Sequence, residues 1–364
     1  MPISLRFFLF LKMDNYTSQK IKIASFLLMI MVVFLHSYNL DSKQGNELVF
    51  FEKDYNWAIQ NFISNGITRI AVPLFFLISG FLFIQSPSFG IKDYKIKVAK
   101  RFKTLVIPYL FWSLFGLLLY FVMQSIPQSQ GFFTKKLIKD YNFIEWLNAI
   151  FNEPIPYQLW FLKDLIVMVL ISPLIVFAIK KLRILYLSII FIFWMFSQDA
   201  VFLTSEALLF FSTGMYLSLF QKEIITMKSK KTFALLWLWI LFLIAKTLLP
   251  LFITNTFLVS TLLKASILFG IVAFWGFLDQ FGNRLANNKV FSFGMTFSFF
   301  LYLFHEPLLT IVKKALFAVL SFSTFTGLII YLVAPIISIT VSIFVGVIYK
   351  AVAKNLYHFS VGGR

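Results

Sequence analysis

Long apolar runs separated by short polar clusters repeat along the whole chain. Runs near 23–40, 67–85, 104–124, 159–179, 183–197, 202–220, 232–252, 256–277, 291–312 and 325–349 approach the roughly 20 residues that a helix needs to cross a hydrocarbon core about 30 Å thick, the fifth being the shortest. The pattern predicts an all-α polytopic transmembrane helix bundle of about ten spans. An earlier apolar stretch, Ile3 to Leu11, is too short to span and carries Arg6. It reads as an interfacial segment or as sequence upstream of a start at Met13 rather than Met1, and it lacks the small-residue cleavage site of a signal peptide.

The polar clusters set the orientation. Arg6, Lys12, Lys20 and Lys22 precede the first span. Lys92, Lys95, Lys97, Lys100, Arg101 and Lys103 follow the second, and Lys180, Lys181 and Arg183 follow the fourth. Lys222, Lys228, Lys230 and Lys231 follow the sixth, Arg284 and Lys289 the eighth, and Lys350, Lys354 and Arg364 the tenth. With ten alternating spans all of these lie on one side, while Lys43, Lys53, Lys135, Lys136, Lys139, Lys313 and Lys314 lie on the other. Cytoplasmic loops carry the excess of Lys and Arg, so both termini are expected in the cytoplasm. The chain then divides into a cytoplasmic N-terminal segment (1–22), a membrane domain (23–350) and a cytoplasmic tail (351–364), with its largest outer loop near 125–158.

Composition removes the soluble alternatives. A chain of 364 residues suggests two soluble domains, but this one is 60% hydrophobic and 13% charged, with mean hydropathy +0.85. Soluble domains are about half apolar and about a quarter charged. The net charge of +18 would otherwise point to nucleic acid. Its confinement to loops points instead to a lipid bilayer, with no nucleic-acid partner, and the 49 phenylalanines fit a lipid-facing surface. The absence of cysteine excludes disulfides, thiolate metal sites and a Cys nucleophile. There is no Walker loop, GxGxxG, His/Cys metal spacing or GxSxG elbow, which argues against an ATPase, a nucleotide-dependent oxidoreductase and a soluble-type hydrolase. No cofactor and no metal are expected.

Ionisable side chains inside a bilayer are costly and ask for a reason. His36 lies thirteen residues into the first span, roughly 20 Å deep at 1.5 Å per residue. His305 lies fourteen residues into the ninth, at matched depth, with Glu306 next to it. Arg69 begins the second span, and Trp160, Lys163 and Asp164 begin the fourth, so four spans place polar groups in one layer near the outer face. Arg69, Lys163 and Asp164 can also snorkel to the interface, Trp160 also suits an aromatic belt, and Lys246 and Lys264 read as snorkelling residues. His358 reads as a solvated tail residue. On these residues alone a membrane enzyme and a secondary transporter or glycan exporter with a His/Glu proton relay stand level, and a non-catalytic scaffold is a third reading. A transporter should show inverted repeats and interrupted helix pairs, and no convincing pair is found.

Five strings carry a resemblance. They are Ile23-Ala-Ser-Phe-Leu-Leu-Met-Ile-Met-Val-Val-Phe-Leu-His36-Ser37; Arg69-Ile-Ala-Val-Pro-Leu-Phe-Phe-Leu-Ile-Ser79-Gly80-Phe81; Lys100-Arg101-Phe-Lys-Thr-Leu-Val-Ile-Pro108-Tyr109-Leu-Phe-Trp112; Leu159-Trp160-Phe-Leu-Lys163-Asp164-Leu165; and Phe297-Ser298-Phe-Phe-Leu-Tyr302-Leu-Phe-His305. In this order, over almost the whole chain, they resemble acyltransferase family 3, the polytopic membrane O-acyltransferases of surface glycans. The resemblance favours the enzyme. It implies transfer of an acyl group, expected to be acetyl, from cytoplasmic acyl-CoA as co-substrate to a hydroxyl of a glycan or lipid-linked sugar. It also implies a passage through the bundle and a place in the cytoplasmic (inner) membrane. Partner proteins of glycan biosynthesis are expected where the acceptor lies beyond the membrane surface.

A sugar hydroxyl needs a base as it attacks, and His36 is the candidate because imidazole titrates near neutral pH. Arg69 is the candidate for the oxyanion or for a donor phosphate. His305 is a candidate second acid/base or acceptor-orienting group. Glu306 follows it, but neighbours on a helix point about 100° apart, which argues against a direct bond between them. Trp160 suits stacking on a sugar ring, and Tyr302, one turn before His305, suits hydrogen bonding to the acceptor. Lys163 and Asp164 complete the substrate-binding candidates. Ser79 and Gly80 suit close helix packing. The family's first span usually carries Arg eleven residues before its His, where this chain has Ser25; Lys22 or Lys20, one turn or more earlier, are the nearest bases to substitute. Direct transfer and transfer through an acyl-His intermediate both remain open.

Overall fold

The computed structural model describes residues 14–40, 43–44, 47–48, 53–84, 89–127, 133, 136–196, 204–228, 234–321 and 323–364. The apolar stretch Ile3 to Leu11, Arg6, Lys12, a start at Met13, Lys135, Lys230 and Lys231 lie outside them. The described chain is helical apart from a two-residue antiparallel pair, 43–44 with 47–48. Helix α1 (Asn15–Ser37) is followed by α2 (Tyr55–Ile63) and a 3-10 turn (Ile67–Ile70) that leads into α3 (Ala71–Phe83). Helix α4 (Ile91–Arg101) runs through a π-helical turn (Phe102–Val106) into α5 (Ile107–Ser125). Next come α6 (Phe143–Phe151), a 3-10 turn (Tyr157–Leu159), α7 (Trp160–Leu182), α8 (Ile184–Phe196), α9 (Ser205–Phe220) and α10 (Glu223–Thr226). The last third holds α11 (Leu235–Leu248), α12 (Thr256–Asn287), α13 (Lys289–Met295), α14 (Ser298–Val319), α15 (Thr324–Val352) and α16 (Lys354–Ser360).

Local chemistry accounts for where these helices start and bend. Asp14 caps α1 by accepting from the backbone N–H of Thr17 at 2.8 Å, and Thr204, Asn255 and Asn288 cap α9, α12 and α13 in the same way. In α14, Glu306 is extended (φ −114°, ψ 135°), as the steric demand of the following Pro307 favours. Pro307 has no N–H to offer the carbonyl of Leu303, and the side-chain amide of Gln158 donates there at 3.2 Å and to the Glu306 carbonyl at 2.9 Å. The break therefore becomes a docking point for the turn before α7.

Six described helical stretches are long and apolar enough to cross a membrane: Asn15–Ser37, Tyr55–Phe83, Ile91–Ser125, Tyr157–Leu182, Thr256–Asn287 and Thr324–Val352. Helices α13 and α14, bent by 78°, add a seventh if they form one span. The sequence pattern predicts about ten; the remaining three fall on α8, α9 and α11, of 13, 16 and 14 residues. Short helices of this kind can sit inside a bundle, and α9 does so, pressed against α3. Gly80 and Gly214 make that crossing possible, because a Cβ on Gly80 would lie 2.0 Å from the Phe211 carbonyl oxygen and one on Gly214 would lie 2.0 Å from that of Leu77.

Large apolar side chains also cover the outside, with Leu174 71% and Phe177 65% exposed on α7 and Trp237 74% exposed on α11. Such a surface is at home in lipid, and the chain is a multi-pass membrane protein. Two lysines expected to snorkel do otherwise. Lys246 is buried and donates to the carbonyls of Asn61 and Asn65 at the end of α2, at 3.1 and 2.7 Å. Lys264 donates to those of Trp194 and Met195 at the end of α8. Orphan carbonyls at helix ends within reach compete successfully with the interface for each cation.

Candidate active site

One face of α1 lines a cavity of about 750 Å³. Its residues there are Ile21, Ser25, Met29, Val32, Leu35 and His36, spaced as one stripe of a helix. From Ile21 to His36 that stripe rises roughly 22 Å. At the His36 end the wall is completed by Arg69 before α3, Trp160 at the start of α7, Thr204 and Glu206 at the start of α9, and Tyr302 on α14. At the other end it is completed by Arg101, Leu105, Met295, Thr296, Phe299 and Arg364.

His36 and His305 meet. Nδ1 of His36 lies 3.1 Å from Nε2 of His305, with the rings 5.2 Å apart and 20° from parallel. Nδ1 of His305 lies 2.9 Å from the carbonyl oxygen of Tyr302 and 3.1 Å from that of Leu301. Carbonyls only accept, so this nitrogen carries the proton of a neutral His305, and its Nε2 holds the lone pair. Nε2 therefore accepts from Nδ1–H of His36, and the hydrogen-bond pattern leaves His36 Nε2 unprotonated. His305 is fully buried, whereas His36 is half-buried and borders the cavity. The ring of Tyr157 lies 4.9 Å from that of His36, and Lys313 donates to the His36 carbonyl at 2.8 Å, a cation on the C-terminal end of α1.

Arg69 reaches the cavity with Glu206 3.8 Å away, its side chain 32% exposed and that of Glu206 14%. The other predicted residues take different places. Trp160 and Tyr302 are on the cavity wall, and the Tyr302 hydroxyl donates to the Gln158 carbonyl at 2.7 Å. Asp164 accepts from the Thr204 hydroxyl at 3.0 Å and so holds the cap of α9, next to Glu206. Lys163 donates to Asn152 at 3.0 Å and ties α7 to the loop before it. Glu306 accepts from the Tyr157 hydroxyl at 3.2 Å, on a different side from His305. Lys22 is exposed and off the cavity wall. Lys20 is buried in an ion pair with Asp279, which also accepts from the hydroxyl of Tyr16, and lies 4.2 Å from the centre of the Trp275 ring. Ser25 lines the cavity and its hydroxyl donates to the Ile21 carbonyl at 2.8 Å. Among the described residues no group of three His, Asp or Glu side chains could hold a metal ion.

Sequence reasoning missed Glu206, Gln158, Tyr157 and Arg364. Glu206 had a usable signal, an acid at the start of the sixth run and hence at the depth expected for Arg69. Gln158 had a weaker one in Pro307, which announces a carbonyl needing a donor. Arg364 had none, since only tertiary folding brings it to the cavity.

The acyltransferase domain family matches residues 21–347, nine-tenths of the chain and all of the α1 stripe. The chain belongs to acyltransferase family 3. Over 214 residues it is 28% identical to the succinoglycan biosynthesis protein ExoH of Rhizobium meliloti (strain 1021), covering 57% of this chain and 55% of that one. The chain thus spans about half the length of the curated relative it matches. No solved structure matches it. Within this family member, the first, second, fourth and fifth strings of the resemblance bring His36, Arg69, Trp160 and Tyr302 to one end of the cavity, and the third leads into its other end through Arg101 and Leu105.

Proposed function

We propose that this protein is an integral membrane O-acyltransferase that moves an acyl group, acetyl in the simplest case, from a coenzyme A thioester to a hydroxyl of a cell-surface glycan. The observation that carries the reading is the histidine pair: an imidazole on the wall of the cavity, hydrogen-bonded through Nδ1 to a second, fully buried imidazole. A satisfied packing histidine needs no such orienting partner. The printed role of the relative from Rhizobium meliloti, succinoglycan biosynthesis, supports a glycan as acceptor.

The step we derive is direct. His36 Nε2 takes the proton of the sugar hydroxyl as its oxygen attacks the thioester carbonyl. The carbonyl electrons move onto oxygen, and Arg69 stabilises that oxyanion in a site screened from bulk water. Collapse re-forms the carbonyl and expels the coenzyme A thiolate, which takes the proton back from the His36 imidazolium. The products are the sugar ester and the free thiol. His305 touches no reacting atom; its lone pair keeps Nδ1–H of His36 engaged and stabilises the imidazolium. Glu206 holds Arg69 in place, and Trp160 offers a stacking face for the sugar. Lys22 enters no step.

The same proposal includes ten spans with both termini in the cytoplasm of a cell bounded by this membrane. The thioester then enters at the Ser25 end and the acceptor at the His36 end. Partner proteins deliver acceptors that lie beyond the membrane. The test is transfer of label from acetyl-CoA to glycan in inverted and right-side-out membrane vesicles. Label on glycan in the wild type and its loss in His36→Ala support the reading. Absence of wild-type transfer with acetyl-CoA and longer acyl-CoAs returns the weight to a transporter.

A further inference from the structure

The end of the cavity away from the histidines is bordered by two guanidiniums. Arg101 closes α4, and Arg364 arrives from the segment after α16. That segment is held in place: the Trp112 indole N–H donates to the Ser360 carbonyl at 3.0 Å, inside the bundle. Gly362 and Gly363 then turn the chain with φ of 69° and 78°, a conformation that favours glycine, and a Cβ on Gly362 would lie 2.8 Å from the Lys103 carbonyl oxygen. The turn delivers the Arg364 guanidinium 3.7 Å above the Phe299 ring, with one N–H donated to the Thr104 carbonyl at 3.3 Å. In an α-helix that carbonyl would take its donor from residue 108, which is Pro108.

Neither arginine has a carboxylate within ion-pair distance among the described residues, where the ion pairs are Lys20–Asp279, Arg69–Glu206 and Lys136–Glu145. Two like charges bordering the same mostly apolar cavity repel each other, and an anion bound by both relieves that repulsion. Ser25 borders the same cavity, where a cation is missing from the first helix.

We propose that Arg364, together with Arg101, binds the phosphates of the coenzyme A donor, so that the folded-back tail supplies the cation absent at Ser25. This rests on the acyltransferase reading. Guanidiniums match phosphate oxygens bidentately, and the apolar walls between them and His36 accept the slender pantetheine arm. The thioester then reaches His36 along the α1 stripe, roughly 22 Å from the phosphate end.

The experiment is calorimetric binding of coenzyme A and of pantetheine, which lacks the phosphates, to the full chain in nanodiscs. Arg364→Ala and Arg364→Gln are expected to weaken coenzyme A by about tenfold or more, as loss of a charge-assisted bond to phosphate implies, and to leave pantetheine unchanged. In turnover the donor KM rises and the acceptor KM does not. Arg364→Lys retains part of the affinity, and Ser25→Arg in the Arg364→Ala background restores part of it. Coenzyme A affinity equal to wild type in both neutral variants overturns the proposal. So does a parallel loss of coenzyme A and pantetheine with a lowered melting temperature, the mark of a merely structural tail. Arg364-dependent retention of phosphatidylglycerol, with no Arg364-dependent binding of coenzyme A, gives the site to a lipid phosphate and overturns it as well. A wild type that binds no coenzyme A overturns the acyltransferase reading itself, a result distinct from the other three.

Discussion

The two ends of the cavity hold their charges in opposite ways. At the His36 end each proton-bearing or charged group has a partner: His36 has His305, Arg69 has Glu206, Glu306 has Tyr157, and Lys313 has the His36 carbonyl. At the Ser25 end Arg101 and Arg364 share the wall without a carboxylate between them, while the nearby Lys20 is fully engaged by Asp279. A site that moves protons and develops charge gains from groups fixed beforehand, because they need not reorganise during the reaction. A site that admits an anion gains from leaving a positive field for the ligand to complete. On the proposed function, the contrast puts chemistry at one end and recognition at the other.

The sharpest way to break that assignment is at the histidines. His36→Ala should lower acyl transfer by about 10²–10⁴-fold, the usual worth of a general base, with coenzyme A binding unchanged. His305→Ala should also be severely impaired, because nothing then fixes the His36 tautomer. His305→Gln should recover part of the rate, since its amide oxygen can still accept from His36 Nδ1–H. Equal rates for His305→Ala and His305→Gln in labelled-glycan assays would remove the tautomer argument.

The paired cation at the recognition end sharpens the comparison from the other side. Lys20 and Asp279 have side chains only 1% and 4% exposed, and removing one partner strands the other charge. Lys20→Met should cost about 3–5 kcal/mol in melting or denaturant experiments, and Lys20→Met with Asp279→Leu should cost clearly less. If the unpaired arginines alone receive the donor, the folded fraction of either variant keeps the wild-type donor KM. A rise in donor KM for Lys20→Met but not for the double variant would mean that a freed Asp279 competes with the phosphates.

A smaller effect is expected at the α3–α9 crossing, which serves both ends at once. Gly214→Ala introduces a Cβ against the backbone of Leu77 and should cost about 1–3 kcal/mol, lowering the melting temperature. Because α3 follows Arg69 and α9 carries Glu206, residual activity should fall together with their ion pair, and coenzyme A affinity should fall less.

Much of this was legible in the chain, for reasons that can be named. Apolar runs of membrane length mark helices whatever their packing, and helices stand at all ten predicted places. Depth along a helix is set by residue count, so His36, His305, Arg69 and Trp160 could be placed in one layer before any contact was known. Depth says nothing of direction around the helix. Lys163 and Asp164 share the layer but turn toward Asn152 and Thr204, and that could not be read from spacing. Span ends were blurred as well. The eighth apolar run stops near 277, yet α12 continues to Asn287, and the added turns hold the Asp279 that engages Lys20. The sequence marks 351–364 only as a cytoplasmic tail with a solvated His358; its return to the cavity depends on Trp112 and two glycines, a tertiary arrangement with no local signature.

The last test lies outside both ends and should move neither. Glu145 pairs with Lys136 at 2.8 Å on the exposed loop helix α6, where it also completes a capping box with Asn142. The Lys136 ammonium, and then the Asn142 backbone N–H, hold the Glu145 carboxyl below its ordinary value. A carboxyl depressed in the folded state contributes stability above its unfolded pKa and loses that contribution as pH falls through the folded one. Solvent and salt screen an exposed pair, so Glu145→Gln should leave the melting temperature at pH 7 almost unchanged and flatten a shallow decline in the acid range. Coenzyme A affinity and transfer rate should both match wild type. A drop in either would mean that the loop carrying α6 belongs to one of the two ends, and the division between chemistry and recognition would have to be redrawn to include it.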